Sequence, residues 1–247
     1  MWKTKKIACV IPARLQSSRF PRKILAPLKG KPLIQWVWES AKSVSFFDEV
    51  VFAIDSDETA KVIESFQGKY FFTSLDCASG TDRLVELQRK KLLGADVWVN
   101  WQADEPFVDQ EMIASLLQSC DRDNADVWTL KKRIEQAEEI AAPDVCKVVC
   151  DKDGFALYFS RSTIPYYRKQ DAPSKVHYKH IGLYAYSSRA LEKIGFLSPC
   201  ELENAEHLEQ LRFLYNGLKI RVHETEKETL GIDLPEHLAK AERICQS

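Results

Sequence analysis

The 247-residue chain is 45% hydrophobic and 29% charged, the composition of a globular protein with room for one large or two small domains. Its 35 basic and 36 acidic residues leave a net charge of −1, so no global field points to nucleic acid or an anionic membrane, and any anion site must be local. No apolar stretch is long enough to span a bilayer and no signal peptide is expected behind Met1-Trp2-Lys3. The seven cysteines contain no C-x-x-C pair, which argues against a zinc site or disulfide framework and suits reduced thiols in a cytoplasmic protein.

In chain order, Ile7-Ala8-Cys9-Val10-Ile11 predicts a buried strand that empties into the basic stretch Pro12 to Lys23. Leu28-Lys29-Gly30-Lys31 makes a break, and Pro32 suits the first turn of a helix with Leu33, Ile34, Val37 and Trp38 on its apolar face. Glu49–Ile54 reads as a second buried strand ending in Asp55-Ser56-Asp57, followed by a helix from Thr59 to Phe66 and a third strand at Tyr70–Thr73. A polar loop, Asp76 to Arg83, leads to a helix through Leu84, Leu87 and Leu92. A fourth strand, Asp96–Trp101, runs straight into Gln102-Ala103-Asp104-Glu105-Pro106. Such alternation specifies α/β architecture, a mainly parallel twisted sheet flanked by helices. After about residue 140 the rhythm changes. Lys147–Cys150 and Ala156–Phe159 around Asp151-Lys152-Asp153-Gly154 predict a hairpin, and His180–Tyr186 another strand, giving an antiparallel β insertion. Leu202, Ala205, Leu208, Leu211 and Leu214 recur every third residue, predicting one amphipathic helix capped at Asn216-Gly217. A strand near Ile220–Val222, the turn Gly231-Ile232-Asp233-Leu234-Pro235 and a closing helix finish the chain.

Four groups of residues carry candidate chemistry. Arg14, Arg19 and Lys23, with Ser17 and Ser18, could hold a polyanion at the carboxyl end of the first strand, where open α/β sheets bind ligands. Ser79-Gly80-Thr81-Asp82-Arg83 reads as a helix entry whose backbone donors could meet a phosphate or base, and equally as a helix cap with Ser79 or Thr81 at the Ncap. Asp104 follows a buried strand at a position suited to magnesium over phosphates, and its alternative is an N-cap with an acidic first turn. Whether Asp233 joins it cannot be read from spacing. Arg161, Arg168, His180 and Tyr184 fall on the antiparallel insertion and Glu209 and Gln210 on the amphipathic helix; arginines there would suit a sugar-acid carboxylate, while Glu209 and Arg212 could simply form a surface ion pair. The five histidines form no metal set, and His207, His223 and His237 are expected to be solvated.

In combination, Ile11-Pro12-Ala13-Arg14 through Ser18-Arg19-Phe20-Pro21, Ser79-Gly80-Thr81-Asp82-Arg83 and Gln102-Ala103-Asp104-Glu105-Pro106 resemble the 3-deoxy-manno-octulosonate (Kdo) cytidylyltransferases. Ala156–Arg161 with Ile164-Pro165, Lys179-His180-Ile181-Gly182 with Tyr184, Leu208–Arg212, and Gly231-Ile232-Asp233 with Pro235 complete the family's order over nearly the full length. The resemblance implies a Rossmann-like nucleotidyltransferase fold. It implies attack by the anomeric hydroxyl of Kdo on the α-phosphorus of CTP, giving CMP-Kdo for lipopolysaccharide synthesis and pyrophosphate. By the same resemblance Arg14, Ser17, Ser18, Arg19 and Lys23 hold the triphosphate, and Ser79, Gly80, Arg83 and Gln102 serve the nucleoside. Asp104 and Asp233 bind Mg2+, with Lys23 and Arg14 assisting catalysis, and Arg161, Arg168, His180, Tyr184, Glu209 and Gln210 line the sugar pocket. It also implies a cytoplasmic homodimer with no nucleic-acid partner and no membrane insertion. The single domain would divide into a nucleotide-binding part over about 1–140, a sugar-binding and dimerisation part over about 141–225, and a closing segment, 226–247, with the metal-ligand turn. Two positions depart from the family: Arg22 and Ala103 stand where it has glycine. An arginine forced to positive φ would cost roughly 1 kcal/mol and could crowd the triphosphate. Two alternatives therefore stand beside Kdo activation: a different substrate of the nonulosonate or amino-Kdo type, or a non-catalytic nucleotide- or sugar-binding relative.

Overall fold

Strand β1 (Ile7–Ala13) is buried along its whole length. Two parallel neighbours explain this: β4 (Glu49–Ile54) on one side and β6 (Val97–Asn100) on the other, with β5 (Tyr70–Phe72) parallel to β4 beyond. A strand covered on both edges and both faces must be continuously apolar, which is what Ile7-Ala8-Cys9-Val10-Ile11 supplies. These results come from a computed structural model that describes residues 4–17, 19–169 and 175–244. Ser18, Cys245 and the middle of the Tyr166–Lys175 stretch lie outside the described residues. The chain divides into two compact units, Met1–Ala114 with Thr229–Ser247, and Ser115–Glu228.

In the first unit β1 extends two residues beyond the predicted strand, because Pro12 and Ala13 remain in register with Ala53 and Ile54 of β4. A 3-10 turn (Lys23–Leu25) follows the basic loop. Strands β2 (Pro27–Leu28) and β3 (Lys31–Pro32) form a small hairpin. Its two-residue loop, Lys29-Gly30, has both φ values positive, 51° and 80°, as a twist-compatible hairpin turn requires. Helix α1 (Leu33–Ser43) has Pro32 at its N-cap rather than inside its first turn. Helix α2 (Asp57–Ser65) starts before Thr59, because the Ser56 hydroxyl accepts from Glu58 N–H and caps it. Helix α3 (Gly80–Arg89) ends short of Leu92. Helix α4 (Gln110–Leu117) then leads out of the unit.

The second unit is built on β7 (Val127–Arg133), which pairs antiparallel with β10 (Tyr178–Ser187) and parallel with β11 (Ile220–Glu224). Helix α5 (Ala137–Ala141) precedes the predicted hairpin, formed by β8 (Lys147–Cys150) and β9 (Ala156–Ser160). Helix α6 (Ser188–Ile194) follows β10. The single amphipathic helix expected over Leu202–Leu214 is instead two helices, α7 (Glu201–Glu206) and α8 (Gln210–Tyr215). His207 breaks the run in the left-handed conformation, φ 51°. The carbonyls freed at the break are taken by Arg161, whose Nε donates to Glu206 O (2.6 Å) and Nη2 to His207 O (3.5 Å). Gly217, φ 74°, ends α8 as the Asn216-Gly217 pair predicts. Helix α9 (Pro235–Ile244) returns the chain to the first unit. There Ile232 and Ala241 pack with Leu28 and Leu33, and Phe20, Trp36, Phe107 and Leu238 lean on the cluster. None of the described helices is long and apolar enough to cross a membrane, and the six described cysteines form no disulfide with one another.

Candidate active site

In the first unit a cavity of about 230 Å³ opens at the carboxyl ends of β1 and β6, beside the start of α3. Arg14, Ser17, Arg19, Lys23, Ser79, Gly80, Arg83, Gln102 and Asp104 all line it. Of the residues predicted to serve the nucleotide, every described one is therefore at this cavity.

One wall is the start of α3. Ser79 caps the helix: its hydroxyl accepts from Asp82 N–H at 3.2 Å, and Asp82 Oδ2 accepts from Ser79 N–H at 3.0 Å. The cap expected at Ser79 is formed, and Ser79, Gly80 and Arg83 border the cavity as well. A Cβ at Gly80 would come within 3.1 Å of Pro12 Cγ, so glycine lets the helix start close against the end of β1.

The floor is a charge cluster. Lys23 Nζ donates to Asp104 Oδ2 and to Asp233 Oδ1, the latter at 2.8 Å, while Arg19 Nη2 reaches Asp233 Oδ1 at 3.2 Å. Burial pulls the Lys23 ammonium down, but the two carboxylates outweigh it and its pKa is raised. Burial raises Asp233, yet the Lys23 and Arg19 cations overcome that and hold it below the usual carboxylate range. Asp104 and Asp233 meet through backbone as well: Ile232 N–H donates to Asp104 O at 2.9 Å, and the apolar contacts of Ile232 hold the turn in place. His237 Nδ1 lies 3.0 Å from Gly231 O and 3.2 Å from Asp233 N, so this histidine braces the turn and is not solvated as expected.

Two carboxylate oxygens converging on one cationic centre form a donor set that suits a hard divalent ion. Among the described residues no group of three or more His, Cys, Asp or Glu could build a complete protein cage. Two carboxylates with the remaining positions left for water and phosphate oxygens fit magnesium. Beside them Glu105 Oε2 is buried without a hydrogen-bond partner, and burial, then the Asp104 and Asp233 charges, push its carboxyl up to about 8.

At Arg22 the backbone does adopt the left-handed conformation, φ 58°. The side chain does not crowd the cavity: its guanidinium pairs with Glu58 on α2. Ala103 is buried, and its φ is not positive, so alanine meets no left-handed penalty there.

In the second unit His180 Nε2 is 3.0 Å from the Thr129 hydroxyl, and its ring packs edge-on against Phe159 (5.0 Å) and tilted against Tyr184 (5.3 Å). Burial holds His180 near pKa 3, so the ring is neutral. Burial, then Tyr186, Cys146 and Glu209, raises the Tyr184 phenol well above its ordinary value. Gln210 is buried, with its amide 3.9 Å from Cys146 Sγ. His180, Tyr184, Glu209 and Gln210 are therefore neighbours. Arg161 is committed to the carbonyls of Glu206, His207 and Pro143, and Arg168 is exposed. His223, also expected to be solvated, is half-buried 2.8 Å from Ser119 Oγ.

Sequence reasoning passed over Asp55, Gln16 and Cys77. Asp55 could have been found, since it follows a buried strand just as the Gln102–Asp104 segment does.

Comparison with known proteins agrees with this architecture. A cytidylyltransferase family profile matches residues 8–220. The 3-deoxy-manno-octulosonate cytidylyltransferase of Thermodesulfovibrio yellowstonii is 46% identical over 245 residues, covering 95% of this chain and 96% of the relative. That of Acaryochloris marina is 42% identical over 241 residues, covering 97% of each. A solved CMP:2-keto-3-deoxy-manno-octonic acid synthetase complexed with CTP superposes with a TM-score of 0.91 at 41% identity, over 98% of both chains. A 4-diphosphocytidyl-2C-methyl-D-erythritol synthase from Anaerococcus prevotii, 14% identical with a TM-score of 0.62 over 98% of this chain and 99% of that one, shares the fold alone. The class is that of the nucleotidyltransferases. Within it, the chain belongs to the cytidylyltransferase family, among the 3-deoxy-manno-octulosonate cytidylyltransferases.

Proposed function

We propose that the protein activates Kdo with CTP, releasing pyrophosphate and CMP-Kdo. The observation that carries this is the convergence of Lys23, Asp104 and Asp233 at the foot of a cavity walled by Arg14, Arg19, Ser79 and Gly80. The cations neutralise triphosphate oxygens, and the backbone of the loop and of the α3 entry supplies donors. Ser79, Gly80 and Gln102 face the nucleoside, and Arg83, its guanidinium committed to Asp55, Thr73 and Ser74, backs their wall. Lys23, bonded to both aspartates, orients their carboxylates. His180, Tyr184, Glu209, Gln210 and Arg168 receive the sugar acid, Arg161 supporting them by fixing the α7–α8 break. The sugar hydroxyl oxygen forms a bond to the α-phosphorus and gives its proton to solvent, the bond from that phosphorus to the bridging oxygen of the β-phosphate breaks, and pyrophosphate leaves with the electron pair. Asp104 and Asp233 would hold Mg2+; bound there, it neutralises charge at the α-phosphate and lowers the pKa of the attacking hydroxyl. The protein works as a cytoplasmic homodimer in lipopolysaccharide synthesis.

The test is pyrophosphate release from CTP, magnesium and a panel of 2-keto sugar acids. Expected is turnover with Kdo at the highest kcat/KM of the panel, abolished by chelation. Preference for a nonulosonate would reassign the substrate, and no turnover with any member in folded protein would overturn the enzyme reading. Sedimentation of the purified protein tests the dimer.

A further inference from the structure

Asp55, the first residue beyond β4, makes two bonds in two directions. Its Oδ1 accepts the N–H of Leu15, immediately after Arg14 in the anion loop, at 3.1 Å. Its Oδ2 accepts Arg83 Nη2 at 2.7 Å. Arg83 sits on α3, one turn into the helix whose first residues make the opposite wall of the cavity. Both side chains are nearly sealed from solvent, 2% exposed for Arg83 and 5% for Asp55. Arg83 also donates through Nη1 to Thr73 Oγ1 at 2.5 Å, and the Thr73 hydroxyl donates to Ile54 O at 3.0 Å. The network therefore fixes the ends of β4 and β5, the start of the anion loop and α3 to one another.

From this geometry we infer that Asp55 is a positioning residue for the nucleotide: it holds the two walls of the CTP cavity at a fixed separation, with Arg83 as its strut. The inference rests on the CTP reading proposed above. A buried ion pair that merely stabilised the fold would alter melting and leave the affinity of folded molecules unchanged. A pair that sets the distance between loop and helix alters CTP affinity selectively, because misplacing donors by a fraction of an ångström weakens every phosphate contact together. The sugar acid, recognised by residues of the other unit, is unaffected.

The decisive variants differ in what they leave behind. Asp55→Asn keeps an Oδ1 acceptor for Leu15 and loses the charge facing Arg83. Asp55→Ala with Arg83→Met removes both bonds and strands no buried charge. Expected is a CTP KM raised about threefold in the first and about tenfold or more in the second, with the sugar-acid KM within about twofold of wild type in both. A double variant folded by circular dichroism whose CTP KM stays near wild type overturns the inference. So does a rise of both KM values in step. If the double variant does not fold, Asp55→Asn decides alone: an unchanged CTP KM overturns the inference and a selective rise supports it. Calorimetry of CTP on the wild type separates the two readings. Wild type that binds no CTP overturns the functional reading and this inference together, whereas CTP binding combined with an unaltered KM in the variants overturns the inference alone.

Discussion

Two cation clusters, one in each unit, are built in opposite ways. In the first, Lys23 and Arg19 face carboxylates at a cavity, so their partners can be exchanged for phosphate oxygens. In the second, cations are consumed by main-chain carbonyls: Lys147 Nζ donates to Ala142 O, Val145 O and Arg161 O at 2.8, 2.7 and 2.5 Å, and Arg161 to Glu206 O and Pro143 O. A carbonyl held in an irregular segment away from helix and sheet ladders depends on such donors once the chain is folded. Charge set against charge at a mouth is available for binding, and charge set against backbone is architecture.

This contrast predicts that substitutions at the two clusters separate into activity losses and stability losses. Largest is Lys147→Met, which takes a donor from three carbonyls, of which Ala142 O keeps the Val145 N–H; about 3 kcal/mol of unfolding free energy is expected to go, read from urea titration, with kcat/KM per folded molecule within about twofold. Full stability in that variant would break the comparison. Next is Asp104→Asn: kcat is expected to fall by roughly a hundredfold while the urea midpoint moves little, because Lys23 keeps Asp233. A variant that unfolds instead would put this cluster with the architectural cations.

A smaller effect concerns pH. Burial, then the Arg221 charge, pushes His223 from its ordinary 6.5 to about 4. Between those values the unfolded chain binds a proton that the folded protein refuses, so stability is whole above pH 6.5 and drains as pH falls through the window. Replacing His223 with Gln is expected to flatten the fall of Tm with acid, by a slope of at most about 1.4 kcal/mol per pH unit. A wild-type slope retained in the variant would remove His223 from the account. Smallest is Arg22→Gly. Glycine relieves the left-handed backbone by about 1 kcal/mol and loses a half-exposed ion pair of about the same or lesser worth. Stability is expected within about 1 kcal/mol of wild type, and CTP KM within about threefold. A larger rise in KM would make the Arg22–Glu58 pair part of the nucleotide machinery.

Much of the first unit was legible in the sequence because a parallel core writes itself plainly. Uninterrupted apolar runs announced β1, β4 and β6, and polar residues just past β1 and β6 proved to line the cavity, while Asp55 past β4 braces it from behind. The pairing of Asp104 with Asp233 was not legible, since it depends on Ile232 packing beside Leu28 and Leu33 from a distant part of the chain. Nor was the break at His207. The apolar period runs straight through it, and the carbonyls freed there are taken by Arg161, just past β9 and remote in sequence. The positive φ at Arg22 could be anticipated from the family's glycine, but the direction of its side chain is set by Glu58, a surface residue with no periodic signal.

The turn bearing Asp233 meets Lys23 across 210 residues of sequence. Its hold on the first unit runs through a small apolar cluster, Leu28, Leu33, Ile232 and Ala241. During synthesis the anion loop and its helix can therefore form and pack long before the second aspartate exists, and a nascent chain carries half a site. The same arrangement makes the closing segment a fuse for the finished protein: heat that lifts α9 from its small apolar seat is expected to free Asp233 from Lys23 before the sheet beneath unfolds.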